Sequence, residues 1–242
     1  MCKKYMPPVG HLDTSGLQRA KRLVADEGII APWIQGAFNE VSFWYRRLDD
    51  LVLDAVLTPD FYHDLMTFCL QRTLNLIEQY IAADVDVLSA GGNIANGKMV
   101  GPDFFAEHVA PYERPLIDFV QQRGKVLLYH NCGYSGRLLG IYPGMGMKAY
   151  ESLTPPPYGD TQLAAALTAF DPKATTLLGN IDQIDLLRRS GPGEIEAAVK
   201  ETLTTAREWS GNFILATTDY FNEDTPHANI EAFAEAGRKY GS

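Results

Sequence analysis

The sequence predicts an α/β fold, a (β/α)8 barrel of the TIM type that lacks its N-terminal strands. Short apolar runs alternate with longer amphipathic segments, which is typical of a parallel sheet connected by helices. Most of these runs are nearly continuous, as in strands buried on both faces. Polar residues follow directly after the runs, and polar strand ends are how a barrel builds its site. Six runs are found where a barrel needs eight, so the first two strands are predicted to be missing.

The predicted elements follow from these patterns in chain order. Strands are predicted over residues 29–38, 85–90, 125–130, 148–153, 175–179 and 213–218. Helices are predicted over residues 17–26, 59–83, 103–123 and 194–209, and the second and last of these have apolar side chains at steps of three and four. At Thr58-Pro59 and Thr225-Pro226, a hydroxyl that can cap a helix precedes a proline suited to the first helical position.

The composition is that of a globular protein. The 242 residues are 46% hydrophobic and 21% charged, which excludes a disordered or collagen-like chain. No low-complexity linker divides the sequence, so a single domain over residues 1–242 is predicted. The net charge of −9 argues against nucleic acid or an anionic membrane as the main partner and leaves a small-molecule substrate as the expectation.

Cysteine content and hydropathy predict a cytoplasmic location. Cys2, Cys69 and Cys132 are too few and too scattered for a disulfide framework. The N-terminus lacks the apolar core of a signal peptide, and no run of about 18 apolar residues predicts a membrane span.

The tripeptide His130-Asn131-Cys132 at a predicted strand end is the sharpest chemical feature. Residues two apart on a strand point to the same face, roughly 7 Å from one another. An imidazole and a thiolate that converge at the mouth of a barrel suit zinc, and Asp219 after the last strand is the best-placed third ligand, followed by Glu151. Packing beneath a loop and a Cys–His nucleophile pair are the alternatives that spacing leaves open.

Polar residues after the other strands are candidates for substrate contacts. Asn93, Asn180 and Asp182 follow predicted strands, and Asp182 could equally cap the helix that begins near residue 184. Tyr220, next to the predicted ligand Asp219, could line a substrate pocket or pack against the core.

From about residue 29 to its end, the chain resembles the uroporphyrinogen decarboxylase superfamily. The resemblance rests on Gly-Asn-Ile-Asp at 179–182, on Pro111-Tyr112 closing a helix that opens at residue 102, and on residues 213–230. It implies a (β/α)8 barrel, in agreement with the strand-end argument.

The resemblance implies one of two activities. One branch decarboxylates uroporphyrinogen III in porphyrin and heme biosynthesis without a metal. The other contains zinc methyltransferases that move a methyl group between a corrinoid protein and a thiol or folate, and it typically shows His-x-Cys at one strand end and a later cysteine. The chain is nearer this second branch because it has His130 and Cys132, although Asp219 stands where the later cysteine aligns.

The resemblance to methyltransferases therefore implies zinc held by His130, Cys132 and Asp219, with Glu151 as a further ligand or an outer partner. Asp182 would join Glu151 in the chemistry, and a corrinoid protein would be the partner. The decarboxylase reading is less favoured because a tetrapyrrole with eight carboxylates needs a cationic cleft, and strand-end cations are few. A non-catalytic fragment or binding subunit is a third reading, since unpaired strand edges favour association, including between copies of the chain.

Overall fold

The structure is a computed structural model that describes residues 10–241, so Cys2 lies outside the described residues. Within this range the strands are β1 (Trp33–Gln35), β2 (Val87–Gly91), β3 (Val126–His130), β4 (Ala149–Ser152), β5 (Thr176–Ile181) and β6 (Phe213–Thr217). They follow one another in the sheet in sequence order, and the β1–β2, β4–β5 and β5–β6 pairs are parallel. The fold is therefore the predicted α/β fold, and the described residues supply six of the eight strands that a barrel needs.

Helices connect the strands, as an all-parallel arrangement requires. They are α1 (Ser15–Val24), α2 (Ala37–Trp44), α3 (Leu48–Leu57), α4 (Pro59–Ala82), α5 (Pro102–Phe104), α6 (Ala110–Gln122), α7 (Leu163–Ala169), α8 (Leu186–Arg189), α9 (Pro192–Arg207) and α10 (His227–Tyr240). A π-helical turn, Phe105–Val109, joins α5 to α6. None of the helices described is long and apolar enough to cross a membrane.

The chain divides into two compact units. The first comprises residues up to Ala95 together with Asp103–Tyr129, and the second comprises Asn96–Pro102 and the chain from His130 onward. In the second unit, Ile181 at the end of β5 packs with Ile195 and Val199 of α9 and with Ala236 of α10. The single domain over residues 1–242 stays a prediction.

The first predicted strand, over residues 29–38, is wrong at both ends. The strand is limited to Trp33–Gln35, and helix α2 begins at Ala37. A continuous apolar run does not distinguish a buried strand from a buried helix. Here the helix is favoured by Glu113, whose buried carboxylate accepts hydrogen bonds from the backbone N–H groups of Ala37 and Phe38 and so caps the first turn.

The two threonine–proline signals behave differently from one another. At Thr58-Pro59, α4 begins with the proline as predicted, but the threonine hydroxyl bonds to Asp54 of the preceding helix and does not cap α4. At Thr225-Pro226, the predicted cap is wrong because the helix begins at His227 and the proline itself is the residue before it. Proline fixes a dihedral suited to either position, so the pattern leaves the start uncertain by one residue.

Candidate metal centre

The three residues predicted to ligate a metal converge in the second unit. One ligand atom each from His130, Cys132 and Asp219 lie within 4.8 Å of one another. His130 is buried, while Cys132 and Asp219 are half-buried, so the group is open on one side to incoming molecules. Parallel strands place their carboxyl ends at one edge of the sheet, which brings His130 at the end of β3 and Asp219, two residues after β6, to the same rim.

His130 is held in place by the end of β4. Its Nδ1 lies 3.1 Å from Oε1 of Glu151 and 3.2 Å from Oγ of Ser152. Burial alone would lower the pKa of His130, but hydrogen bonds and charge interactions with Cys132 and Glu151 outweigh it and raise the pKa to about 10. Because both partners meet the same ring nitrogen, this is not the geometry of a serine nucleophile activated by histidine, which needs the hydroxyl and the acid on opposite nitrogens.

Asn131, between the two predicted ligands, points the other way. Its side chain is fully buried and donates a 2.6 Å hydrogen bond to the hydroxyl of Tyr142. This is the alternation expected at a strand end, where neighbouring side chains take opposite faces. Asn131 therefore anchors the turn in the core, while His130 and Cys132 face the candidate metal centre.

Asp219 is oriented by its own neighbours in the chain. Its Oδ1 accepts a 2.9 Å hydrogen bond from the backbone N–H of Tyr220, and its carbonyl oxygen accepts one of 2.6 Å from the hydroxyl of Thr217. These short-range bonds fix the carboxylate just beyond the last strand. The side chain of Tyr220 itself is 82% exposed.

The donor set fits a zinc ion. Imidazole nitrogen, thiolate sulfur and carboxylate oxygen all bind zinc at about 2.0–2.3 Å, which places ligand atoms roughly 3.5 Å apart in a tetrahedral site. The three atoms found within 4.8 Å of one another need only a small approach to reach that spacing. The carboxylate on Nδ1 of His130 is the outer partner that a metal-ligating histidine usually has.

The remaining predicted site residues have mixed surroundings. Asp182 accepts a hydrogen bond of 2.7 Å from the N–H of Ile184, in a turn that leads into α8. Asn180 has its carboxamide oxygen 3.4 Å from the hydroxyl of Thr202 on α9. Asn93 belongs to the first unit and accepts a 2.6 Å hydrogen bond from the side chain of Asn39.

Two residues at the site were given no role in the sequence analysis: Ser152, noted only as part of a polar strand end, and Thr154, which was missed. Ser152 contacts His130, and the hydroxyl of Thr154 accepts a hydrogen bond from the N–H of Gly133. Isolated hydroxyl residues carry no periodic or motif signal. Their proximity to Glu151, already a candidate at the same strand end, was the one available hint.

Comparison with known proteins defines the class. The family model described as uroporphyrinogen decarboxylase (URO-D) matches residues 45–240, and the chain belongs to this family. Within it, the chain is similar to methyltransferases. It is 21% identical over 239 residues to the methylcobamide:CoM methyltransferase MtbA of Methanosarcina mazei, covering 98% of this chain and 67% of that protein. The MtbA of Methanosarcina acetivorans is 19% identical over 176 residues, covering 73% of this chain and 48% of that protein.

Solved structures show the same fold. A methyltransferase from Methanosarcina mazei superposes with a TM-score of 0.80 at 16% identity, covering 93% of this chain and 63% of its own. A B12-independent methionine synthase from Shewanella sp. W3-18-1 gives 0.60 at 13% identity, covering 95% of this chain and 67% of that one. The chain thus spans between about half and two thirds of the relatives it matches, and the family's barrel fold is shared.

Proposed function

We propose that the protein is a zinc-dependent methyltransferase that moves a methyl group between a corrinoid protein and a thiol or folate acceptor. The observation that carries the proposal is the convergence of His130, Cys132 and Asp219, with ligand atoms within 4.8 Å of one another. Membership of the URO-D family and similarity to two methylcobamide:CoM methyltransferases support the same reaction class.

In this proposal His130, Cys132 and Asp219 hold the zinc, and Glu151 holds His130. Because Glu151 engages Nδ1, Nε2 is the ring nitrogen assigned to the metal. When bound, zinc supplies Lewis acidity, which favours the thiolate form of an acceptor thiol or orients an acceptor amine. An aspartate oxygen gives the metal less charge than a cysteine sulfur would, so Asp219 increases that acidity.

The other predicted residues take positioning and chemical roles around this centre. Tyr220 follows Asp219 and is exposed, so it can form a wall of the acceptor site. Asp182 directly follows β5 and is proposed to act with Glu151 on the reacting groups. Asn180 is proposed to contact substrate, which requires its carboxamide to exchange the Thr202 contact. For Asn93, which belongs to the first unit, a contact with substrate stays a prediction.

Metal content and methyl transfer test the proposal together. Purified protein should contain about one zinc per chain, and Cys132→Ser and Asp219→Asn should each lower both the zinc content and the transfer of a methyl group from a methylated corrinoid to a thiol. Asp118→Asn, an exposed carboxylate on α6, is the matched control and should change neither. Absence of zinc at any stoichiometry, with activity unaffected by Cys132→Ser, would contradict the mechanism.

The same assay separates the alternatives. Formation of coproporphyrinogen from uroporphyrinogen without metal would identify a decarboxylase. A protein inactive in both assays that instead forms a stable complex with another chain would be a binding subunit.

A further inference from the structure

The chain on both sides of Cys132 is held by one short segment that follows β4. On one side, Glu151 and Ser152 contact Nδ1 of His130. On the other side, the hydroxyl of Thr154 accepts a 3.1 Å hydrogen bond from the backbone N–H of Gly133. Cys132 therefore lies between two positions that are each fixed by residues 151–154.

The backbone of this segment adopts an uncommon conformation that makes both contacts. Ser152 has a φ of +98° and Leu153 a φ of +52°, in the region of positive φ that residues other than glycine rarely occupy. Two consecutive residues of this kind turn the chain sharply after the strand. Such conformations persist where the surrounding contacts determine them, and they concentrate at functional sites.

Thr154 is itself fixed at its backbone. Its carbonyl oxygen accepts a 3.0 Å hydrogen bond from the N–H of Thr161, and the residue is 5% exposed. Gly159 packs so closely that a Cβ there would lie 2.3 Å from the carbonyl oxygen of Thr154 and 2.4 Å from that of Gly133. The threonine hydroxyl thus meets the Gly133 N–H from a rigid position.

We propose that Thr154 is a positioning residue for Cys132: its hydroxyl fixes the turn after the cysteine and so sets the separation of the thiol from His130. The inference rests on the proposed function, because the separation matters only if the two side chains share a metal. Metal sites require their ligands within about 0.5 Å of the productive geometry, so loss of one such anchor weakens binding.

Replacement of the hydroxyl by a methyl group tests this directly. Thr154→Val should weaken zinc affinity by about 10- to 100-fold in a chelator competition, whereas Thr154→Ser, which keeps the hydroxyl, should remain within about threefold of the wild type. Thr175→Val is the matched control. Thr175 is also buried, and its hydroxyl also bonds to backbone, at Met147 O before the start of β4, away from the rim.

A second readout needs no metal. Alkylation of Cys132 by iodoacetamide, followed by peptide mass spectrometry, should be faster in Thr154→Val than in the wild type and unchanged in Thr154→Ser and Thr175→Val. The inference would be overturned if zinc affinity fell equally in both valine variants, or if Thr154→Val changed neither the affinity nor the alkylation rate. A wild-type protein that binds no zinc contradicts the proposed function, and in that case the alkylation rates alone decide whether Thr154 positions Cys132.

Discussion

The carboxylate of Glu151, a residue of β4, lies 3.1 Å from Nδ1 of His130, which is the last residue of β3. When the ring N–H of a histidine donates a hydrogen bond to a carboxylate, the contact fixes both the tautomer and the ring orientation, and it makes the opposite nitrogen a stronger donor to a metal. The contact of Glu151 with Nδ1 fits the role of an outer partner of His130, which is one of the roles that the sequence predicts for it.

Glu151→Gln should lower zinc affinity by about 10- to 100-fold while leaving the fold intact, because the amide keeps the shape but loses the charge that supports His130. Chelator competition measures the affinity, and urea unfolding of the metal-free protein measures the stability. Glu201→Gln, an exposed substitution on α9, is the control and should change neither quantity. Equal zinc affinities for Glu151→Gln and the wild type would show that the carboxylate does not support the ligand.

Asp182 provides a prediction in which a structural hydrogen bond and chemistry separate. The predicted helix cap is wrong, because α8 begins at Leu186 and the residue before it is Asp185. Oδ1 of Asp182 instead accepts the N–H of Ile184 in the preceding turn, and loss of such a hydrogen bond costs about 1 kcal/mol. Asp182→Ala should therefore lower both the free energy of unfolding and methyl transfer. Asp182→Asn keeps an acceptor oxygen, so it should retain stability within about 0.5 kcal/mol and lose activity only. Full activity in Asp182→Asn would assign the residue to the turn alone.

Most of the strands could be predicted from sequence because a strand buried on both faces is a short, nearly continuous apolar run. Five of the predicted strands agree with the structure within two residues at either end, from β2 to β6. The first predicted strand does not agree with the structure at its C-terminal end, because the carboxylate that caps the start of α2 comes from Glu113, which is distant in sequence. Apolar residues in a short segment predict that the segment is buried. A helix cap supplied by a distant segment leaves no pattern in the local sequence.

The convergence of the three candidate ligands could be predicted for the same reason. His130 and Cys132 share a face through strand alternation, and Asp219 follows another strand of the same sheet. The supporting hydroxyls were not predictable, since their positions depend on the left-handed backbone at Ser152 and Leu153. No residue type in that stretch predicts such a turn.

Buried Glu113 predicts how the stability of the first unit depends on pH. Burial raises the pKa of its carboxyl group to about 7, against opposing hydrogen bonds from Phe38 and Ala37. The folded state therefore holds the proton more tightly than the unfolded state. The resulting stabilisation is complete below the unfolded pKa near 4.5 and is lost as the pH rises to about 7. The contribution amounts to about 3 kcal/mol.

Glu113→Gln removes this titration and keeps an oxygen for the helix N–H groups. Urea unfolding at pH 5 and pH 8 should show the wild type losing stability relative to the variant by roughly 2–3 kcal/mol at the higher pH. Parallel pH profiles for the two proteins would mean that Glu113 titrates normally.

Gly36 is the residue that makes room for this carboxylate. A Cβ at position 36 would lie 2.5 Å and 2.6 Å from the two carboxylate oxygens of Glu113 and 2.8 Å from the carbonyl oxygen of Gly91. Because one of these neighbours is backbone, a side-chain adjustment alone does not relieve the overlap. Gly36→Ala should therefore destabilise the protein by about 2–3 kcal/mol in urea unfolding.

A second glycine in the chain supplies the opposite expectation. A Cβ at Gly193, in the first turn of α9, would meet nothing within 4 Å. Gly193→Ala should leave stability unchanged or raise it by up to about 1 kcal/mol, because alanine loses less backbone freedom in a helix. Comparison of Gly36→Ala with Gly193→Ala separates the steric contact from the general effect of replacing glycine. Similar changes in the free energy of unfolding of both variants would show that the packing of Glu113 on Gly36 is not the cause.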